Sequence, residues 1–337
     1  MTTARMPMKS SSFQPSPNMM GRLRCATPTR RRSGRWYPEE RRRGQGNHIG
    51  PLCLPLLQRP VKRSLELHMR VPQATAVLVS VDGTHHPDGR FPISCDDLGL
   101  SRGHGVFETL PVYDSHPSSL DAHLQRLEQS CVLMGIPAPM PAVLRTRIRG
   151  LLEASSCSHG VLRIQVTQEG RQILAVRPLG RRLDTLRARR LAWPTPPFPP
   201  ARAKHTSRAG YTLAPAAHDV DEVIRTTPTG HALEGTWSSV FCFRGGTLYT
   251  CPDDGRILPG ITRGHVLFLA DQMTISVKEE APGPPEPNDS WFLTSSLQGI
   301  VGIHRLDDTD QPPMPEPIRA LRIALDQHTG RPTAPSA

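Results

Sequence analysis

The chain has 337 residues and a formal net charge of +11 at pH 7, and all of this excess lies in residues 1–68, which hold 14 basic and 3 acidic side chains. Residues 69–337 are neutral, with 27 basic and 27 acidic side chains. No stretch approaches the ~20 consecutive apolar residues that a membrane-spanning helix needs, so the sequence predicts no membrane partner.

Residues 1–68 are predicted to form a disordered basic tail rich in proline and arginine, because they lack the apolar periodicity that a packed core requires. Their arginine runs are also typical of a nucleic-acid-binding arm or of a transit peptide. We interpret the tail as a solvated extension and expect no nucleic-acid partner. Met69 directly precedes the patterned part of the chain and is an alternative start.

The seven cysteines form no CxxC pair and are odd in number, which favours reduced thiols in a cytoplasmic protein. The adjacent pair His85-His86 lies in a turn-like stretch and is interpreted as surface. The sequence therefore predicts no metal site.

A small α/β domain is predicted over residues 69–190. Its predicted strands are Ala76–Val81, Val106–Val112, and a hairpin of Val161–Thr167 with Gln172–Val176. Apolar residues recur at helical spacing from Leu120 until Gly135-Ile136-Pro137 ends the helix, and a second helix covers Pro141–Ala154, with proline in its first turn.

A proline-rich connector, residues 191–201, is predicted to separate this domain from a larger one at 202–328, followed by a disordered tail at 329–337. Within the larger domain the pattern predicts a hairpin of Val240–Phe243 with Thr247–Thr250, a helix over Thr262–Met273 and a strand at Trp291–Thr294. These patterns alone support no more than a fold of α plus β.

Three blocks in the larger domain have a recognisable order and spacing: Glu234-Gly-Thr-Trp-Ser-Ser-Val-Phe241, Leu248-Tyr-Thr250 and Leu258-Pro-Gly-Ile-Thr-Arg263. Together they resemble the signature of the class IV aminotransferases, which use pyridoxal phosphate. The resemblance extends upstream through Gly103–Thr109, Leu120–Leu127 and Ala203–Arg208 and covers about residues 76–305. The family usually has asparagine at the position of Ser239 and aspartate at that of His104.

The resemblance implies an α+β fold of two domains, a small α/β N-terminal domain and a larger barrel-like C-terminal domain. It also implies pyridoxal 5'-phosphate between the domains, a small-molecule amino substrate and a homodimer.

Lys204 matches the family's catalytic lysine, whose amine forms an imine with the cofactor and then moves protons. Residues 69–337 contain two lysines, and the other, Lys278, lies beside two glutamates. Glu234 matches the carboxylate that keeps the cofactor's ring nitrogen protonated.

Four further residues match the family's phosphate-binding groups. Ile261 and Thr262 follow Gly260 at the predicted start of a helix, where N–H groups suit an anion. Arg126 would supply a guanidinium to the phosphate, and Ser296 a hydroxyl.

The segment Lys204-His-x-x-Arg208 is more similar to aminodeoxychorismate lyase than to the aminotransferases, and Arg208 would lie one helical turn from Lys204 and bind a substrate carboxylate. We therefore predict a lyase that converts 4-amino-4-deoxychorismate to 4-aminobenzoate and pyruvate. The alternative is an aminotransferase for branched-chain or D-amino acids. Pro215 is expected to break the helix after Lys204, so a degenerate homologue with a nucleic-acid-binding tail is a third, less favoured hypothesis.

Overall fold

The computed structural model describes residues 78–193, 195 and 198–332. The predicted tail at 1–68, the start of the small domain and residues 333–337 lie outside this description. Across the described part of the chain, no helix is long and apolar enough to cross a membrane.

Six antiparallel strands build the first sheet. They are β1 (Leu78–Val81), β2 (Thr84–His86), β3 (Gly105–Tyr113), β4 (His116–Pro117), β5 (Gly160–Thr167) and β6 (Gln172–Pro178), in the spatial order β2-β1-β6-β5-β3-β4. Three helices belong to the same part of the chain, namely α1 (Leu98–Ser101), α2 (Leu120–Met134) and α3 (Pro141–Ala154). The predicted strands, hairpin and two helices are all confirmed to within a few residues.

The core of this part lies between the sheet and helices α2 and α3. Because side chains alternate along a strand, Val106 and Leu110 of β3 face the helices and join this core. Glu108 lies between Val106 and Leu110 on the same face of β3 and is fully buried. Phe107 points to the opposite face of the sheet, so β3 presents a carboxylate to one side and an aromatic ring to the other.

The second sheet has nine strands. They are β7 (Thr185–Ala192), β8 (Glu222–Thr226), β9 (Ala232–Gly235), β10 (Ser239–Arg244), β11 (Thr247–Thr250), β12 (Ser276–Lys278), β13 (Ser290–Ser295), β14 (Gly299–Leu306) and β15 (Thr309–Asp310). Their order is β12-β11-β10-β13-β14-β7-β8-β9, with β15 on β14. A pairing of Ser239 with Glu234 joins β10 to β9 and closes the sheet into a barrel.

The remaining helices are α4 (Ala209–Ala217), α5 (Ile261–Gln272) and α6 (Glu316–His328). Along β10, Val240 and Cys242 belong to one apolar cluster, while Phe241, between them, packs in another with residues of α5 and α6. The predicted hairpin, helix and strand of this part are confirmed. Strands β7, β8 and β14 and helix α6 did not emerge from the sequence patterns.

Two features differ from the sequence-based expectations. The boundary at residue 190 falls inside β7, which pairs with β8 and β14, so residues 185–190 belong to the second sheet rather than to the small domain. Pro215 does not break the helix after Lys204, because it lies in the last turn of α4 and costs only the bond to the carbonyl four residues earlier.

The C-terminal boundary also differs, because the residues after α6 are held in place. Arg331 is buried, and its guanidinium donates to the carbonyl oxygens of Leu297 at 2.8 Å and Ser296 at 3.4 Å. It lies 5.5 Å from the centroid of the Tyr113 ring. Arg331 therefore ties residues 329–332 to the turn between β13 and β14, and the expected tail cannot begin at 329.

Arg331→Ala is expected to lower the free energy of unfolding by roughly 1.5–3 kcal/mol, since it removes a buried charged donor from two partly buried carbonyls. Urea unfolding measures the loss. Arg319→Ala, at an exposed arginine of α6 that pairs with Glu316, is the control and should cost about 1 kcal/mol or less. Equal losses in the two variants would contradict the anchoring role.

Candidate active site

Lys204 is fixed through its backbone to the first sheet and to α2. Its N–H donates to Ser130 Oγ at 3.0 Å, and its carbonyl accepts from Phe107 N–H at 2.9 Å. The next residue, His205, forms an antiparallel bridge with Val106. The lysine thus lies on an extended segment beside β3, with Nζ 5.0 Å from the centroid of the Phe107 ring.

The amine of Lys204 is surrounded by cations. Burial, followed by the charge of Arg126, lowers the pKa of Lys204 to about 7, and Arg208 and Arg163 act in the same direction. The carboxylate of Glu108 opposes this shift but does not reverse it. Because only a neutral amine is a nucleophile, this environment makes Lys204 reactive near neutral pH.

Arg126 projects from α2 onto the buried carboxylate of Glu108. Its Nε and Nη2 donate to the two carboxylate oxygens at 2.8 Å each, and Nη1 donates to the carbonyl of Pro259 at 2.9 Å. Burial alone would raise the pKa of Glu108, but Arg126 and His123 outweigh it and hold the pKa well below its usual range. Arg126 is therefore a fixed cation beside the loop that leads into α5.

Three predicted phosphate-binding residues meet in one place. Ile261 and Thr262 form the first turn of α5, and Ser296 lies in the turn between β13 and β14. All three line a single small cavity, together with His123. The Nε2 atom of His123 lies 3.4 Å from Ser296 Oγ. The first N–H groups of a helix have no partner within the helix, so this cavity offers amide and hydroxyl donors to an anion.

Glu234 stands at the closure of the barrel, near the end of β9. Its Oε1 accepts from Arg225 Nη1 at 2.8 Å and its Oε2 from Leu258 N–H at 2.9 Å. Burial raises the pKa of Glu234, whereas the charges of Arg225, Arg208 and Lys204 and the Leu258 N–H lower it. Because the charges of Lys204 and Arg208 act on Glu234, this carboxylate is close enough to the amine to interact with it electrostatically.

Arg208 is not one helical turn from Lys204, because residues 204–208 are not helical. The extended pairing with β3 prevents a helix there, and Arg208 instead occupies the N-cap position of α4, without a capping hydrogen bond from its side chain. Its guanidinium donates to the carbonyl of Thr236 and lies 4.1 Å from the centroid of the Tyr211 ring. Its charge nevertheless acts on Lys204, as the lowered pKa of the amine shows.

Sequence reasoning missed four charged or titratable residues of this site: Glu108, His123, Arg163 and Arg225. Arg163 lies on β5 with its guanidinium carbon 4.1 Å from the centroid of the Phe107 ring, which Lys204 also approaches. Among the described residues, no carboxylate pairs with it. A charged residue in the middle of an otherwise apolar strand was the signal that could have identified Arg163.

Residues 105–306 match the family described as amino-transferase class IV. This match spans more than half of the chain, and the chain belongs to that family. Its enzymes use pyridoxal phosphate, so the prediction of a pyridoxal-phosphate enzyme is confirmed.

Two relatives have different activities in their names. A bifunctional aminodeoxychorismate lyase / D-amino acid transaminase of Mycobacterium tuberculosis is 29% identical over 274 residues, 71% of this chain and 94% of that protein. A probable branched-chain-amino-acid aminotransferase of Thermotoga maritima is 30% identical over 216 residues, 60% of this chain and 77% of that protein.

The fold is shared with solved structures. A hypothetical aminotransferase from Mycobacterium tuberculosis, with α-ketoglutarate and PMP bound, superposes with a TM-score of 0.68 at 28% identity, covering 75% of this chain and 98% of that chain. The predicted two-domain fold of class IV, with its barrel-like larger domain, is thereby confirmed.

The lowered pKa of Lys204 leads to a pH prediction. The rate at which apoprotein captures pyridoxal phosphate should rise with pH through about 7 and then level off, because the amine loses its proton there. An ordinary lysine, with a pKa of about 10.4, would give a rate that still rises above pH 9. Stopped-flow absorbance measures the rate.

In Arg163→Met the midpoint of this profile should move to higher pH, since a cation that disfavours the protonated amine is removed. Arg149→Met, at an exposed arginine of α3, is the control and should leave the midpoint unchanged. A wild-type profile that still rises toward a pH of about 10.4, the pKa of an ordinary lysine, would show that the surroundings do not depress this pKa.

Proposed function

We propose that this enzyme is an aminodeoxychorismate lyase, which converts 4-amino-4-deoxychorismate to 4-aminobenzoate and pyruvate. The observation that carries the proposal is the pair of guanidiniums near Lys204, those of Arg163 and Arg208, neither of which has a carboxylate partner within the described residues. The substrate is a dicarboxylate, and arginine is well suited to binding carboxylates. The name of the relative from Mycobacterium tuberculosis favours the same reaction.

The residues present fit pyridoxal phosphate. Lys204 would hold the aldehyde, and Glu234 would accept a hydrogen bond from the protonated ring nitrogen. Ile261, Thr262 and Ser296 would bind the phosphate through N–H groups and hydroxyls, with Arg126 as a nearby cation already engaged with Glu108. These residues therefore match the aldehyde, the ring nitrogen and the phosphate of the group.

Bound pyridoxal phosphate supplies an electron sink for the substrate carbon that bears the amine. Lys204 takes the proton from that carbon, and its low pKa makes it a base at neutral pH. The carbon–oxygen bond between the ring and the enolpyruvyl group breaks and the ring becomes aromatic. The protonated Lys204 then returns its proton to the methylene carbon of the departing enolate, which becomes pyruvate. Arg163 and Arg208 hold the carboxylates and orient the breaking bond.

An aminotransferase is the second candidate, and the name of the Thermotoga maritima relative favours it. The same residues would serve a reaction in which the amine passes to a keto acid. The implied homodimer is part of this proposal, and light scattering on the purified protein tests it.

Purified enzyme given only 4-amino-4-deoxychorismate is expected to release 4-aminobenzoate and pyruvate in equal amounts over many turnovers. An elimination regenerates the enzyme in every cycle, whereas a transaminase without a keto acid stops after one half-reaction. Fluorescence of 4-aminobenzoate and a coupled lactate dehydrogenase assay measure the products, and Lys204→Ala is the inactive control. Turnover that requires an amino acid and a keto acid would favour the second candidate.

Arg163→Met and Arg208→Met should each raise KM for this substrate by roughly 10- to 100-fold, the effect of losing one charge-assisted hydrogen bond. Their affinity for pyridoxal phosphate should change far less. Steady-state kinetics and cofactor titration give the two quantities, and Arg149→Met serves as the matched arginine control. A larger effect on cofactor binding than on KM would contradict the assigned role.

A further inference from the structure

Arg225, on β8, is a completely buried arginine, with 0% of its surface exposed. Its Nη1 donates to Glu234 Oε1 at 2.8 Å and to Tyr211 Oη at 3.0 Å. Its Nη2 donates to Thr195 Oγ1 at 2.9 Å. One guanidinium therefore contacts both the candidate ring-nitrogen carboxylate and a tyrosine hydroxyl.

This arrangement is costly for a group that serves stability alone. Removing a guanidinium from water carries a penalty of several kcal/mol, and apolar residues of similar volume often replace buried ion pairs without loss. The Nε atom of Arg225 has no hydrogen-bond partner among the described residues. The guanidinium carbon lies 5.9 Å from the Trp193 ring and 5.7 Å from the Tyr211 ring, so these aromatic faces supply part of its surroundings.

The hydrogen bond between Arg225 and Tyr211 has a defined direction. A guanidinium has only donors, so Tyr211 Oη must accept, and the phenol's own proton is free for another acceptor. Within the described part of the chain, no protein group accepts that proton. Tyr211 is buried at the start of α4, beneath the guanidinium of Arg208 at 4.1 Å.

We propose that Arg225 is a positioning residue, which fixes the Glu234 carboxylate for the protonated ring nitrogen of pyridoxal phosphate and directs the Tyr211 hydroxyl proton toward an acceptor on the bound cofactor. This inference rests on the role given to Glu234 in the proposed function. Arg225 is the group that would keep Glu234 charged and correctly oriented for that role.

The electrostatics of Glu234 support the proposal. Burial raises the pKa of this carboxyl, and the charge of Arg225 is the largest effect that opposes the rise. Without Arg225 the carboxyl would be buried with the Leu258 N–H as its remaining direct partner, and its protonated form would be favoured. A neutral acid stabilises a positively charged ring nitrogen far less than a carboxylate does, so the preference for a protonated ring would be weakened.

Binding of two ligands distinguishes a positioning role of Arg225 from a purely structural one. The ligands are pyridoxal phosphate and its 1-deaza analogue, in which a C–H replaces the ring nitrogen. Dissociation constants for both are measured with apoprotein by quenching of tryptophan fluorescence. Wild-type protein should bind the cofactor roughly 10- to 100-fold more tightly than the analogue, because only the cofactor forms the charged hydrogen bond. In Arg225→Met this ratio should fall several-fold, because a neutral carboxyl can form only an uncharged hydrogen bond with the ring nitrogen, and Arg225→Lys should partly restore it.

Arg190→Met is the matched control. Arg190 lies on the neighbouring strand β7, and its Nε donates to Asp307 at 2.8 Å. Its loss also breaks a partly buried ion pair, but the ratio should stay at the wild-type value. Tyr211→Phe should weaken both ligands and leave the ratio unchanged, since the phenol does not contact the ring nitrogen.

If Arg225→Met does not fold, Arg225→Gln keeps a hydrogen-bond donor without the charge and should also weaken the preference. A wild-type ratio in Arg225→Met or Arg225→Gln overturns the inference, as does an equal loss in Arg190→Met. A wild-type protein that does not distinguish the two ligands overturns instead the role of Glu234 and the proposed site. The two failures are therefore distinguishable, and neither depends on which reaction the enzyme catalyses.

Discussion

The site depends on the backbone of one short segment. The Phe107 N–H donates to the Lys204 carbonyl and the Lys204 N–H donates to Ser130 Oγ, and these two hydrogen bonds hold Lys204 against β3 and α2, although the chain reaches it from β7 of the barrel. A lysine on a free loop would sample many positions. The backbone of Lys204 is instead held extended, because its N–H and its carbonyl both form hydrogen bonds. The same pairing excludes a helix between Lys204 and Arg208, so the geometry of both residues follows from a single constraint.

The charges around the amine form two classes. Arg126 and Arg225 each have a buried carboxylate partner, Glu108 and Glu234, so their charges are largely compensated. Arg163 and Arg208 form no ion pair in the described structure, although the charges of Glu234 and Glu222 act on Arg208 from a distance, and a bound dicarboxylate would pair with both guanidiniums. In the proposed site, the two ion pairs would help to build the cofactor pocket, and the two arginines without an ion-pair partner would favour anionic substrates.

The sequence was informative where a local rule decides the structure. Helix Pro141–Ala154 was predicted with the bounds observed, because a first-turn proline and apolar periodicity define it. Strand β7 was missed because its Arg189-Arg190 pair interrupts the alternation, and its stability comes from parallel partners distant in sequence. Glu108 lies within a predicted strand, but its contact with Arg126 exists only once α2 packs on β3. Motifs located Lys204 and Glu234, whereas the groups that tune them required the fold.

The choice of cation at each position has a chemical consequence. The described residues contain two lysines, Lys204 and Lys278, and every other fixed cation of the site is an arginine. A guanidinium stays protonated at any physiological pH and does not act as a nucleophile, whereas an amine can lose its proton and react with an aldehyde. Arginines can therefore crowd the site, depress the pKa of Lys204 and bind anions without competing for the cofactor. In the proposed site, Lys204 would be the one amine able to react with the cofactor, because the cations around it are guanidiniums.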